Sequence, residues 1–260
     1  MKKLPTLFVS HGSPMHAIEP GVAGERWAAL GRALPRPRAI AIASAHWETS
    51  LPMITGNPKP STIHDFGGFP PELYTLRYPA PGAPEIAAHA VALLKQAGIT
   101  AGIDGCRGLD HGAWVPLMHM YPQHDVPVVQ ISLQPALGAA HHVALGRALA
   151  PLATEGVLVV GSGHTTHNLR DWISNRKRSE PLRYAQEFTS WVQAQLDAHD
   201  TEALVDYRDR APDAARAHPT DEHFLPLHVA WGAAGDAPRV ERVVTGFEAG
   251  ALAMDSWLFH

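Results

Sequence analysis

Histidine is the residue type in this sequence that is best suited to chemistry. The 260 residues include 17 histidines and a single cysteine, Cys106. Imidazole binds transition metals and exchanges protons near neutral pH, because its unperturbed pKa is about 6.5. One cysteine excludes a disulfide framework and any cysteine-rich zinc or iron–sulfur site. A transition metal bound to this chain would therefore be held mainly by imidazole.

Three histidine-bearing segments directly follow short apolar runs. They are Ser10-His11-Gly12, Ser44-Ala45-His46 and the stretch 161–168, which contains His164 and His167. If the apolar runs are parallel strands, their carboxyl ends meet at one edge of a sheet, where α/β proteins bind their ligands. Side chains that are distant in sequence would then converge, as a metal site requires.

Two further segments contain candidate residues. In His218–Leu227, which we expect to open a helix, either His223 or Glu222 could supply another ligand. On a helix adjacent side chains diverge by about 100°, so only one of the two would face a metal. The segment Asp110–Trp114 places His111 in what we interpret as a glycine-flanked loop.

Sequence templates for other chemistry do not fit. The sequence has no phosphate-binding loop, no dinucleotide-binding glycine pattern and no His-Glu-x-x-His motif. The run Gly161-Ser162-Gly163 is too short for a nucleophile elbow, and Cys106 has no base beside it in sequence. We interpret the histidines outside the segments above, such as His16, as surface or packing residues, and His228 as packing or support for the site.

The elements that would position these residues alternate between two patterns. Apolar runs without alternation, typical of buried parallel strands, occupy Thr6–Ser10, Ala39–Ala43, Pro127–Leu133 and Gly156–Val160. Helical patterns occupy Ala83–Ala97, His141–Leu152, Arg183–Ala198 and Leu225–Gly232, and a further strand is predicted at Val240–Phe247. This order predicts an α/β fold with a mostly parallel central sheet flanked by helices and a metal site at the carboxyl ends of the strands.

Two stretches resist regular structure. Residues 51–84 contain eight prolines and four glycines, so we predict a long ordered loop there. The loop contains the cluster His64-Asp65-Phe66, which makes it a candidate binding loop. Residues 208–219 form the second irregular stretch.

Composition limits the class of protein. With 45% hydrophobic and 18% charged residues, we expect one globular domain spanning residues 1–260 rather than a disordered chain. A net charge of −4 argues against a nucleic-acid partner. No apolar run approaches the roughly 20 residues of a membrane span, and the start of the chain lacks the pattern of a signal peptide. We therefore expect a cytoplasmic protein, a monomer or small homo-oligomer, without a membrane partner.

Six segments taken together resemble the motifs of the class III extradiol ring-cleavage dioxygenases, and within them the DOPA-dioxygenase type. The segments are SHGSP (10–14), SAHWE (44–48), IHDFGGFP (63–70), LDHGAWVPL (109–117), GSGHTTHNL (161–169) and HPTDEHFLPL (218–227). They occur in order, with compatible spacing, over essentially the whole chain. The resemblance implies a single α/β domain with a mononuclear non-haem iron(II), dioxygen as co-substrate and a catechol as substrate.

The resemblance also implies roles for individual residues. His11, His46 and His223 correspond to metal ligands, with Glu222 as the alternative third ligand because other members of the family use a carboxylate there. His167 corresponds to an acid/base beside the metal and, alternatively, to a fourth ligand. His111 corresponds to a pocket histidine near the substrate and dioxygen.

The implied reaction is 4,5-extradiol cleavage of DOPA or a related catecholic acid, giving a seco-DOPA that cyclises to betalamic acid. We expect iron(II) as the active metal, although three neutral imidazoles would also suit zinc in the purified protein. A zinc-dependent amidase or esterase using the same histidines is the alternative, and a non-catalytic interaction protein is a third hypothesis. Candidates for substrate contact are His64, Phe66 and Trp114, with Phe69 and Tyr121 as further aromatic candidates. No arginine can be assigned to a substrate carboxylate.

Overall fold

The structure is a computed structural model, and it describes residues 3–260. The strands within these residues are short, and most are apolar. They are β1 (Thr6–Ser10), β2 (Ala39–Glu48), β3 (Met53–Thr55), β4 (Gly102–Asp104), β5 (Val128–Leu133), β6 (Val157–Gly163), β7 (Val240–Val244), β8 (Phe247–Glu248), β9 (Leu252–Ala253) and β10 (Ser256–Phe259).

Helices connect and flank the strands. They are α1 (Gly21–Ala33), α2 (Pro84–Gln96), α3 (His111–Met120), α4 (Gly138–Leu149), α5 (Pro151–Thr154), α6 (Leu169–Ser174), α7 (Arg183–Ala198), α8 (Thr201–Val205), α9 (Tyr207–Arg210), α10 (Ala214–Ala217) and α11 (Leu225–Ala234). None of the helices in residues 3–260 is long and apolar enough to cross a membrane.

One eight-stranded sheet organises the fold, in the order β4-β3-β5-β2-β6-β1-β10-β7. Its central strands β5, β2, β6 and β1 are parallel to their neighbours in this group. The flanks are antiparallel, because β3 joins β5 and β10 joins β1 in the opposite direction. The predicted α/β architecture with a mostly parallel central sheet is confirmed.

Alternate residues of the central strands pack into two apolar layers. On one face, Ala41 and Val129 pack with the buried stripes of α2, α4, α7 and α11. On the other face, Ile40 and Ile42 pack with α1 and α3. Burial of each large aliphatic side chain contributes about 1.5–3 kcal/mol relative to exposure. Both layers therefore hold the strand ends in a rigid frame.

Several predicted boundaries differ from the structure for identifiable reasons. The strand Thr6–Ser10 and the helix Arg183–Ala198 have the predicted ends. Strand β2 runs five residues past the predicted Ala43, because its pairing with β6 continues and it meets β5 again at Glu48. The predicted helix His141–Leu152 begins earlier and is split into α4 and α5, since a proline follows α4. The predicted strand Val240–Phe247 is split into β7 and β8.

The stretches predicted to be irregular contain short elements. Residues 51–84 contribute β3 to the sheet and a 3-10 turn at Pro71–Thr75, and residues 208–219 contain α10. His111 was predicted in a loop, but it is the first residue of α3, which Asp110 caps by accepting a hydrogen bond from the Ala113 N–H. Glu222 and His223 do not lie on a helix, because α11 begins only at Leu225.

Candidate metal centre

Three histidines meet where β1, β2 and the turn before α11 come together. The Nε2 atoms of His11 and His46 lie 3.0 Å apart. The ligand atoms of His11, His46 and His223 all lie within 4.8 Å of one another. The Nε2 atom of His223 is buried and has no hydrogen-bonding partner. Buried polar atoms are rarely left unpaired, so these converging nitrogens fit a metal ion with imidazole ligands.

The three rings are held in the neutral form. Burial, followed by the neighbouring His111, lowers the pKa of His46 to about 4. Burial and the other imidazoles lower the pKa of His11 and that of His223 well below the usual value. Neutral imidazole is the form that binds a metal ion, so the centre does not need to lose protons at neutral pH.

A hydrogen-bond chain determines which nitrogen of His11 carries the proton. The Ser162 hydroxyl donates its only hydrogen to the carbonyl of Gly112, at 2.5 Å. Ser162 Oγ lies 3.0 Å from His11 Nδ1 and must therefore accept a hydrogen bond from it. This arrangement leaves the lone pair on Nε2 of His11, the atom that faces His46.

Two features of α3 matter at Gly112: its carbonyl is free to accept the hydrogen bond from Ser162, and the helix lies close to the strand ends. Pro116 lies four residues further along α3 and has no N–H, so the Gly112 carbonyl lacks its usual helical partner. A Cβ added at Gly112 would lie 2.5 Å from Ser44 Oγ and 3.0 Å from a ring carbon of His46. Glycine at this position lets α3 approach the two strand-end histidines.

Asp65 contacts two histidines, His111 and His46, on the side of their Nδ1 atoms. Its carboxylate accepts hydrogen bonds from the backbone N–H and from Nδ1 of His111, both at 2.9 Å. Nδ1 of His46 lies 3.4 Å from the same carboxylate. Burial raises the pKa of Asp65, but the hydrogen bonds from His111 outweigh it and lower the pKa to about 2. A permanent carboxylate thus favours the proton on Nδ1 of both rings and leaves Nε2 on the metal side.

The third histidine is positioned by a carboxylate and a close backbone contact. Nδ1 of His223 lies 2.9 Å from Glu222 Oε1, so Glu222 supports the ring. A Cβ at Gly163 would lie 2.1 Å from the His223 carbonyl, and that carbonyl accepts a hydrogen bond from the His164 N–H at 2.7 Å. Within residues 3–260, the group of candidate ligands that contains His11 and His46 contains His223 and not Glu222.

Two more histidines lie beside this centre. The ring of His167 stacks on that of His223, with centroids 3.4 Å apart and an interplanar angle of 9°. Burial and neighbouring histidines lower the pKa of His167 well below its usual value. His164 accepts a hydrogen bond at Nε2 from the Gly12 N–H, at 3.1 Å, and burial lowers its pKa to about 4. His167 is not in the group of ligand atoms formed by His11 and His46.

A cavity of about 420 Å³ opens onto these histidines. This volume is within the range of small-molecule sites. Its walls are mainly aromatic and aliphatic, and it is lined by His11, Gly12, Ser13, Pro14, His46, Phe66, Phe69, His111, His164, His167, Leu169, Trp172, Glu222, His223 and Leu252. A planar aromatic molecule fits between such walls.

The structure places the three candidates for substrate contact differently. Phe66 lines the cavity, but His64 and Trp114 do not. Trp114 is fully buried and donates from Nε1 to the Ile63 carbonyl at 2.9 Å, and the His64 ring lies edge-on to Phe66. His64 and Trp114 therefore support the ring of Phe66 from behind.

Sequence reasoning missed several residues around the centre. Asp65 and Ser162 orient the histidines of the centre, and Leu169, Trp172 and Leu252 form cavity walls. Of these residues, only Asp65 could have been identified from the sequence, because it belongs to the cluster His64-Asp65-Phe66 in the predicted binding loop. The pairing of Ser162 with His11 depends on the register of β1 against β6, which apolar runs do not specify.

Comparison with known proteins identifies the family of this chain. Residues 5–250 match the family described as the catalytic LigB subunit of aromatic ring-opening dioxygenase. The chain is 42% identical over 258 residues to the 4,5-DOPA dioxygenase extradiol of Beta vulgaris, covering 98% of this chain and 96% of that protein. It is 41% identical over 255 residues to the protein of the same description from Escherichia coli (strain K12), with coverage of 97% and 93%.

A solved structure agrees with the fold over its full length. The crystal structure of a protein of Escherichia coli K12, described as uncharacterised, superposes with a TM-score of 0.85 and 36% sequence identity. The match covers 99% of this chain and 100% of that one. Family profile, relatives and fold all lead to one assignment: the chain belongs to the LigB family of aromatic ring-opening dioxygenases.

Proposed function

We propose that this protein opens the ring of a catechol by extradiol cleavage, with DOPA cleaved at its 4,5 bond as the preferred reaction. The observation that supports it best is the convergence of His11, His46 and His223 at the base of a largely apolar cavity. Relatives about 40% identical over nearly the whole chain are described as 4,5-DOPA dioxygenases. Family membership favours ring opening over the zinc hydrolase that the histidines alone would also allow.

The residues present suit iron(II). His11, His46 and His223 would hold it through their Nε2 atoms, and the remaining positions would be open to catechol and dioxygen. When bound, iron(II) supplies the one-electron steps that a closed-shell catechol and dioxygen cannot take directly. The neutral ligand set leaves the charge of the ion to be balanced by a deprotonated catechol.

The side chains of the cavity would bind the catechol and move its protons. Neutral His167 accepts a proton from a catechol hydroxyl and returns a proton to an oxygen atom as the O–O bond breaks, which is the role that its position beside His223 allows. His111 donates from Nδ1 to Asp65, so its Nε2 is the atom available to a substrate oxygen. Phe66, Phe69 and Trp172 contact the ring and exclude water.

The proposal is tested by metal reconstitution. Protein stripped of metal is loaded with iron(II) without air, mixed with DOPA and then exposed to oxygen. We expect a yellow product, with oxygen uptake equal to DOPA loss. The product mass should equal DOPA plus one dioxygen, and one water less after cyclisation. The same protein loaded with zinc should consume no oxygen, because zinc has no accessible one-electron chemistry. Hydrolysis of esters or amides by the zinc form, without oxygen uptake by the iron form, would contradict the proposal.

A further inference from the structure

One carboxylate side chain lies among the residues that line the cavity. The lining in the described chain includes Glu222 but no lysine or arginine. A charged group beside apolar walls is costly unless a partner of opposite charge reaches it.

One oxygen of Glu222 is engaged and the other is free. Oε1 lies 2.9 Å from Nδ1 of His223 and 3.0 Å from the Thr220 hydroxyl. Both of these partners are neutral, so they orient the carboxylate without balancing its charge. The side chain of Glu222 is 18% exposed, and Oε2 makes no hydrogen bond within residues 3–260. The free oxygen is therefore available to a molecule in the cavity.

A second carboxylate, Glu48, lies near Glu222. The pKa of Glu48 is raised by partial burial and by the negative charge of Glu222. Glu48 lies at the end of β2 and does not line the cavity. Beside these two carboxylates, a cationic group of a ligand is favoured over an anionic one.

We propose that Glu222 binds an ammonium group on the side chain of the catechol, so that this site selects catechols that carry an amine. The inference rests on the proposed ring-cleaving function, since it assumes that the catechol oxygens lie at the histidine centre. Glu222 lines the same cavity as the three ligand histidines. A substituent on a ring bound at the centre extends within this cavity, where the free oxygen of Glu222 can meet it. The substrate carboxylate has no cationic partner among the lining residues and contributes little to selection.

Matched substrates isolate the ammonium group. DOPA and 3-(3,4-dihydroxyphenyl)propionate differ only by the amine, and dopamine keeps the amine but lacks the carboxylate. For the iron(II)-loaded protein we expect kcat/KM for DOPA and for dopamine to exceed that for the propionate by roughly 10- to 100-fold, the range of a hydrogen bond to a charged group. Glu222→Gln keeps an oxygen for His223 Nδ1 but removes the charge, so this preference should largely disappear. Glu48→Gln is the matched control and should retain it.

The outcomes separate this role from the other roles of Glu222. Equal loss of activity toward all three catechols in Glu222→Gln, with the preference intact, would show that Glu222 only positions His223. Loss of bound metal in that variant would make Glu222 a ligand, and either result overturns the inference. Calorimetric titration of the zinc-loaded protein with the same catechols measures the preference without turnover. If no catechol is cleaved, the ring-cleavage proposal fails, while the binding ratios still decide the role of Glu222.

Discussion

The substitution Asp65→Asn tests how the centre controls its own protonation. The carboxylate accepts two hydrogen bonds from His111 and lies 3.4 Å from Nδ1 of His46. An asparagine of the same size has one accepting oxygen and an NH₂ group that only donates. Both Nδ1 atoms lie beside Oδ2, and the His111 backbone N–H lies beside Oδ1. The NH₂ group would therefore face either the backbone N–H or the two Nδ1–H groups. In either orientation a donor meets a donor, so the side chain must shift and its hold on the two imidazoles weakens.

The size of the effect follows from the hydrogen bond that is lost. A hydrogen bond to a charged acceptor contributes about 1.5–3 kcal/mol. His46 has only a 3.4 Å contact with the carboxylate, so a loss passed on to this ligand is at most of this size, roughly 10- to 100-fold in metal affinity. Loss of a partner that orients a ligand histidine has the same usual range, about 10- to 100-fold. Two independent arguments therefore agree on the expected magnitude.

The assay is a competition between the protein and a chromophoric chelator for zinc or for anaerobic iron(II). Asp125→Asn is the control, because Asp125 is exposed and pairs with Arg36 at the surface. We expect unchanged affinity in the control and weaker binding in Asp65→Asn, with the fold retained by circular dichroism. Unchanged metal affinity in Asp65→Asn would refute the reasoning, since it would show that packing alone orients the rings.

Three further predictions concern single histidines. His223→Ala should lose most bound metal by elemental analysis, whereas Glu222→Ala should keep most of it; the reverse pattern would make Glu222 the third ligand. His167→Gln should keep its metal but lose roughly 10²- to 10⁴-fold in catechol cleavage, and metal loss instead would make His167 a ligand. Burial lowers the pKa of His142 to about 3 from an ordinary value of 6.5, so its contribution to stability is present above pH 6.5 and lost as the pH falls toward 3. The free energy of unfolding of the metal-free protein should fall between pH 7 and pH 4. Denaturant unfolding should show that this fall is about 3 kcal/mol smaller in His142→Gln than in the wild type. Equal falls would contradict the assignment.

The strand-end histidines were predictable because the signal is local. A buried parallel strand is a short apolar run, and the residue that follows it lies at the carboxyl edge of the sheet. His11 directly follows β1, and His167 follows β6 by a few residues. His46 lies within β2, beyond the regular part of its pairing with β5. For these residues the sequence pattern alone is sufficient to predict their location at the carboxyl edge of the sheet.

Contacts between distant segments were not predictable in the same way. Asp65 lies 46 residues before His111, and no periodicity in the chain relates the two. The three-residue strands β3 and β4 are too short to produce a pattern, although they extend one flank of the sheet. Antiparallel β10 joins β1 only because the chain returns after β9. Such pairings depend on the packing of the whole domain and not on any one segment.

Helix α3 contains residues that are unusual in helices and that also take part in the candidate metal centre. We expected a loop around His111 because glycines flank it, and Pro116 lies within the helix that forms instead. In the structure the missing N–H of this proline leaves the Gly112 carbonyl free, and the Ser162 hydroxyl donates to it. Ser162 can then only accept from His11 Nδ1, which places the lone pair of His11 toward the metal site. Proline is normally disfavoured inside a helix, and this exception lies beside the candidate metal centre. There the free carbonyl of Gly112 orients His11 instead of completing the helix.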